Sequence, residues 1–165
     1  SDVDGFELNI FQELNMLPDP FDGLFISMNF TITDGTSSLD VDNGTVTFPF
    51  RKLSEDVSNI SIGYDKNKFD VRLSYVSRSP YLDYLADDDS ETIQEDLDNN
   101  NIRYTDDHTQ IDFNLKYKIN DNVSVKFDIN NITDEPEFYY WGTQNRLSQY
   151  DEYGTTYSIG IRYNL

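Results

Sequence analysis

The sequence predicts an all-β fold, an antiparallel up-and-down meander of about seven strands with one apolar and one polar face. Three observations carry this prediction. Apolar and polar residues alternate with a period of two over long stretches, as a pleated strand requires. The connections between those stretches alternate between short and long. No run approaching about eighteen apolar residues occurs, which excludes a membrane helix but not a membrane strand, since barrel strands need only about 9–11 alternating residues.

The first strand sets Phe6, Leu8 and Ile10 against Glu7 and Asn9 and runs to about Leu14. Pro18-Asp19-Pro20-Phe21-Asp22-Gly23 then reverses the chain, because two prolines and a glycine suit a turn and no regular element. The second strand places Leu24, Ile26, Met28, Phe30 and Ile32 opposite Phe25, Ser27, Asn29, Thr31 and Thr33, with its end expected at Asp34-Gly35. From there to Asp56 a long loop is expected, holding at most a short strand at Val46–Phe48. Asp40-Val41-Asp42-Asn43-Gly44 within it is not an EF-hand: the glycine comes one place early and Arg51 stands where the bidentate acid belongs.

Strand three carries Ile60, Ile62 and Tyr64 on one side, and a short reversal at Asp65–Lys68 leads to strand four. There Phe69, Val71, Leu73 and Tyr75 alternate with Asp70, Arg72 and Ser74, and the strand continues through Arg78 to Pro80. The next connection is expected to be a long, solvated, mobile acidic loop, with Asp87, Asp88, Asp89, Glu91, Glu95, Asp96 and Asp98 close together. Strand five, Gln110–Ile119, opposes Ile111, Phe113, Leu115, Tyr117 and Ile119 to Asp112, Asn114, Lys116 and Lys118. A tight turn at Asn120-Asp121-Asn122 follows, then strand six, Val123–Ile132, with Val125, Phe127 and Ile129 on the apolar side. An aromatic loop around Phe138–Gly142 leads to the last strand, Tyr153–Leu165, whose apolar parity is tyrosine at either end and isoleucine between.

Short connections after strands one, three and five lie at one end of such a meander, and long ones after strands two, four and six at the other. Outer-membrane barrels have this asymmetry, whereas soluble sandwiches place loops of both lengths at both ends. Arg72, Lys116, Lys118, Lys126 and Arg162 all fall on the polar parity, away from any lipid. Alternation sustained over about nine residues also exceeds the five or six of ordinary soluble strands. A mean hydropathy of -0.64 is what strands with one wet face give.

Particular segments carry a family resemblance. Asn130-Asn131-Ile132-Thr133-Asp134-Glu135-Pro136, the Tyr139-Tyr140-Trp141-Gly142 stretch, Arg146-Leu147-Ser148-Gln149-Tyr150 and the closing Tyr153–Leu165 segment resemble the C-terminal end of a TonB-dependent outer-membrane receptor, best over roughly the last sixty residues. The resemblance implies a barrel of about twenty-two strands filled by an N-terminal plug, importing a scarce nutrient with energy relayed from the inner membrane. Leu165 departs from the pattern, since such barrels usually end in an aromatic residue.

With 165 residues, no initiator Met, no signal peptide and no plug-like segment, the chain is expected to be one unit, the C-terminal barrel portion of a longer receptor. The resemblance implies a Gram-negative outer-membrane location with the C-terminus periplasmic and the long loops extracellular. It implies lipid around the barrel and engagement of TonB through a segment preceding this chain. Self-association through open sheet edges is expected of the isolated chain. The competing reading is a soluble all-β module, carbohydrate-binding or calcium-dependent and adhesive.

A formal net charge of -19 argues against nucleic acid, which needs a basic footprint. Without cysteine there is no disulfide, thiol chemistry or cysteine metal site. His108, the one histidine, has no nucleophile context around it, and no enzyme or cofactor is read. The acidic loop offers a loose calcium site at Asp87, Asp88, Asp89 and Glu91. A ligand site is expected where Tyr81 and Tyr84 follow strand four and Tyr139, Tyr140 and Trp141 follow strand six, with Arg146 nearby. Flat aromatic faces stack on sugars and other rings, so an oligosaccharide or a siderophore-like nutrient is the expected ligand.

Overall fold

A computed structural model of the protein describes residues 1–41, 44–85 and 93–164. Seven long strands form the body: β1 (Asp2–Glu13), β2 (Leu24–Val41), β4 (Asp56–Lys66), β5 (Phe69–Arg78), β8 (His108–Lys118), β9 (Val123–Asn130) and β12 (Thr156–Tyr163). They pair antiparallel in the order β1-β2-β4-β5-β8-β9-β12, the expected meander, with β1 and β12 at its two edges.

Register decides what each face presents. Val71, Leu115, Phe127 and Ile159 lie opposite one another across β5, β8, β9 and β12, and one residue along the same strands Arg72, Asn114, Asp128 and Ser158 form a polar row. The polar row is hydrogen-bonded: Asn114 Nδ2 donates to Asp128 Oδ1 at 2.8 Å, Ser158 Oγ to its Oδ2 at 3.2 Å, and Lys126 Nζ pairs with it at 2.9 Å. The apolar face is bare. Ile159 and Ile161 are 78% and 77% exposed, and Ile62 and Leu73 are exposed as well, so no second layer from this chain covers them. A continuous bare apolar face of this extent is unsuited to water and suited to lipid. This arrangement removes the soluble-sandwich reading, which needs that face buried.

The short connections all lie at one end. A 3-10 turn, Phe21–Gly23, sits between β1 and β2, and Lys66 reaches across from β4 to the carboxylates of Asp19 and Asp22. Asn67, in the left-handed region at φ 58, turns β4 into β5. Asn120 caps the β8–β9 turn by accepting the amides of Asn122 and Val123 at 3.0 and 2.9 Å.

The long connections hold more structure than their sequence suggests. β2 does not end at Asp34-Gly35 but runs on to Val41 and pairs with β3 (Gly44–Pro49). Gly35 is a packing position and not a turn: a side chain there would meet Leu53, Phe50 and Val3. The expected acidic loop and aromatic loop are likewise corrected. β6 (Tyr81–Leu85), β7 (Ile102–Thr105), β10 (Glu137–Trp141) and β11 (Leu147–Asp151) form a second, four-stranded sheet in the order β11-β10-β7-β6. Ile93–Asp98 is a short helix, α1, in place of a solvated loop, because Ile93 and Leu97, one turn apart, face a core. That core gathers Val46, Leu82, Leu85, Ile93 and Ile102, with Leu39, Phe48, Leu97 and Tyr104 against it. Asp87, Asp88, Asp89 and Glu91, the calcium candidates, lie outside the described residues.

The last strand starts at Thr156, after Gly154 in the left-handed region at φ 75, and not at Tyr153. The Asn130–Pro136 segment is a clasp. Asn131, at φ 56, accepts the Glu135 amide through Oδ1 at 2.8 Å and donates Nδ2 to the Glu135 carbonyl at 2.9 Å, while its own amide reaches Asp112 Oδ1 at 2.8 Å.

Candidate ligand-binding face

The second sheet has two faces, and pairing assigns its residues to them except at the bulges that leave Asp83 and Ser148 unpaired in register. Tyr140, Tyr104 and Leu82 stand opposite one another on the face that packs on the core. Tyr139, Thr105 and Tyr81 stand opposite one another on the other face, where Trp141 lies beside Arg103 and, past a bulge in β6, Arg103 lies beside Tyr84. A Tyr-Tyr-Trp run in an extended strand therefore sends its first and third rings one way and its middle ring the other.

Arginines tie the open face together. The Arg103 guanidinium lies over the Tyr139 ring at 5.2 Å and the Tyr84 ring at 6.0 Å. Its charge is answered by Asp83, to which Nε donates at 2.8 Å and with which Nη2 also pairs. Arg51 lies over Tyr84 at 5.9 Å, and Arg78 over Tyr81 at 4.9 Å. Arg78 belongs to the polar parity of β5, level with His108, so the open face of the second sheet continues the polar face of the body. Arg78 is also fixed from behind, donating Nη1 to the Asp106 carbonyl at 2.9 Å.

Tyr139 Oη donates to Glu137 Oε2 at 2.7 Å. That bond to a carboxylate, with partial burial added, raises the phenol above the ordinary tyrosine range. Tyr104 and Tyr140 are raised chiefly by burial, as expected for two rings stacked with centroids 5.5 Å apart on the core side.

Of the residues expected to bind ligand, Tyr81, Tyr84, Tyr139 and Trp141 share the open face. Tyr140 does not, being 8% exposed and turned to the core. Arg146 is a latch: it donates to the Asn100 carbonyl at 3.0 Å and to Asn101 Oδ1 at 3.1 Å, holding the β10–β11 turn to the end of α1. Arg103 lies in sequence near the same mouth as Arg78 and Arg146, where so many neighbouring acids favour an ion pair over an anionic ligand; the structure gives it that pair in Asp83, and its register opposite Trp141 sets it on the open face. Among the described residues no three His, Cys, Asp or Glu side chains converge as a metal site would require.

A family model, "TonB dependent receptor-like, beta-barrel", matches residues 1–132. The chain belongs to the TonB-dependent receptor β-barrel family. The matched residues reach from β1 to just past β9, upstream of most of the closing segment that carries the resemblance in sequence. A solved structure, the siderophore receptor PiuA from Acinetobacter baumannii, superposes with a TM-score of 0.64 over 98% of this chain at 17% identity, which shows a common fold. This chain spans 21% of that receptor. No curated protein matches. TonB-dependent receptors are non-enzymatic transport proteins of the Gram-negative outer membrane, and the bare apolar face and lined polar face described above are the lipid-facing and lumen-facing walls of such a barrel.

Proposed function

We propose that this chain is the C-terminal barrel wall and mouth of a receptor that imports a nutrient, and that the Tyr81, Tyr84, Arg103, Tyr139 and Trp141 face captures a neutral oligosaccharide. In this reading the short turns are periplasmic and the second sheet stands at the extracellular mouth. The receptor is driven by TonB, engaged through a segment N-terminal to these residues. The observation that carries the ligand class is the Arg103–Asp83 pair: the cation at the centre of the face is already neutralised, which leaves flat rings and hydroxyls as its offer to a ligand.

Ferric siderophore chelates are the competing class. PiuA, by its name, is a siderophore receptor, and Arg51 and Arg78 would suit an anion on the same face. Calorimetry on the full receptor in detergent, titrated with neutral oligosaccharides and separately with ferric catecholate chelates, tests the choice. Saccharide binding that falls about tenfold or more in Tyr139→Ala and Trp141→Ala is expected, by the loss of stacking area. Chelate binding without saccharide binding would sink the reading.

A further inference from the structure

Trp141 ends β10 with a strand on one side only. Its neighbour there is Arg103 of β7, whereas the pairing of β10 with β11 stops one residue short, at Tyr140 and Leu147. On the side of β11 a turn takes the strand's place, the Trp141 amide donating to the Arg146 carbonyl at 2.8 Å. Two side chains of that turn reach the segments that flank β7. Arg146 donates Nη1 to the Asn100 carbonyl and Nη2 to Asn101 Oδ1, just before β7. Gln144 Nε2 donates to the carboxylate of Asp106, just after β7, at 2.9 and 3.2 Å from its two oxygens. The Gly142 amide, bonded to the Ile102 carbonyl at 2.8 Å, is a third attachment. Glycine is needed there twice over: its φ of 64 lies in the left-handed region, and a side chain would run into Asn100. Asp106 is itself fixed, its amide donating to the Phe138 carbonyl at 2.8 Å and its carbonyl accepting Arg78, the arginine that lies over Tyr81.

We propose that the 142–146 turn is a strap that fixes Trp141 in its ligand-binding pose before a ligand arrives, with Gln144 and Arg146 as its positioning residues. This rests on the reading of the Tyr81, Tyr84, Arg103, Tyr139 and Trp141 face as the binding site. It also accounts for Arg146, an arginine beside that face whose donors are committed to Asn100 and Asn101. A side chain that is immobilised only when the ligand binds lowers affinity by about two- to tenfold, through the freedom it loses at that moment. The strap removes that loss in advance. Its anchor points bracket β7, which lies inside the second sheet between β10 and β6 and so cannot shift independently of either. The Gln144 and Arg146 bonds are solvent-exposed, and such bonds add little to overall stability. Their effect is therefore confined to the turn and the ring it carries.

The test uses the full receptor in detergent, with the neutral oligosaccharide that binds it best as probe. Gln144→Glu sets a carboxylate against Asp106 and opens one arm of the strap. In Gln144→Glu/Asp106→Asn the donor and acceptor change ends, the bond is restored and the net charge is that of the parent. By calorimetry, Gln144→Glu and Arg146→Ala are each expected to weaken the saccharide about fivefold with the thermal midpoint unchanged, and the double variant to bind within about twofold of the parent. Trp141 is the one tryptophan of this chain, so receptor emission less that of Trp141→Phe isolates its signal. Its quenching by acrylamide without ligand is expected to rise in both single variants and to return to the parental level in the double variant. Parental affinity or parental quenching in the single variants, or a loss in Gln144→Glu that Asp106→Asn does not repair, overturns the strap. If Trp141→Ala loses the saccharide while the single variants keep it, the strap fails and the binding face stands. If Trp141→Ala binds as the parent does, the face itself is wrong and the strap's role falls with it.

Discussion

At the scale of single residues, the open face of the second sheet is held by a few polar contacts, each with a definite electrostatic sign. Tyr139 is held in its protonated form by Glu137, so its folded-state pKa lies above that of an unfolded tyrosine. Below about pH 10, the ordinary tyrosine value, folded and unfolded chains both keep the phenol proton and the stabilisation is complete. Above it the unfolded chain ionises first, so stability falls as pH rises towards the folded-state value. Thermal melts of the receptor between about pH 9 and pH 12 are expected to show this decline, and Tyr139→Phe to flatten it. A decline of equal size in Tyr139→Phe would assign it to other tyrosines. Arg103 and Asp83 were invisible as a pair in the sequence because a bulge in β6 shifts Asp83 out of simple alternation.

At the scale of elements, the long connections matter most. A strand beyond the membrane has no lipid to cover its apolar side, so it needs a core of its own. Here β2, β3, β6, β7 and α1 supply one around Leu82, Leu85, Ile93 and Ile102. This core is joined to the body through β2, whose far end reaches it at Leu39. Leu82→Ala, at a fully buried position, is expected to cost about 2–5 kcal/mol locally. Limited proteolysis of the receptor in detergent checks it: the segments around β6, β7 and α1 should become cleavable while the body stays resistant. Loss of the body with the cap would show that the two parts fold as one unit. β3 showed through as the short strand expected at Val46–Phe48, but the sequence hid the rest because the strands are short, four or five residues at β6, β7, β10 and β11. Too few alternations fit in such a length to stand out from a polar loop.

At the scale of the whole molecule, two walls with different solvents explain the composition: charge and amide on the lumen side, isoleucine and aromatic residues on the lipid side. Ile159→Lys is expected to cost about 2–4 kcal/mol, the penalty for a cation at mid-depth, whereas Ser158→Lys, one residue away beside Asp128, is expected to be nearly neutral. Urea unfolding in lipid vesicles, read by the gel shift of folded barrel, measures both. Equal costs at the two positions would mean that the faces are not lipid and lumen.

The long strands, their order and their two faces were legible in the sequence, because period-two alternation in elements of eight residues or more is a local property; their register was not, since alternation sets parity and leaves shifts of two residues open. Tyr81, Tyr84, Tyr139 and Trp141 were legible as a group for the same reason, being aromatic residues that flank those strands. What the sequence could not supply was which rings look outward. Tyr139 and Tyr140 are chemically alike neighbours, and only the pairing of β10 with β7 sends one to the open face and the other to the core. Local chemistry fixes period and polarity, whereas contacts between residues far apart in the chain fix what a site contains.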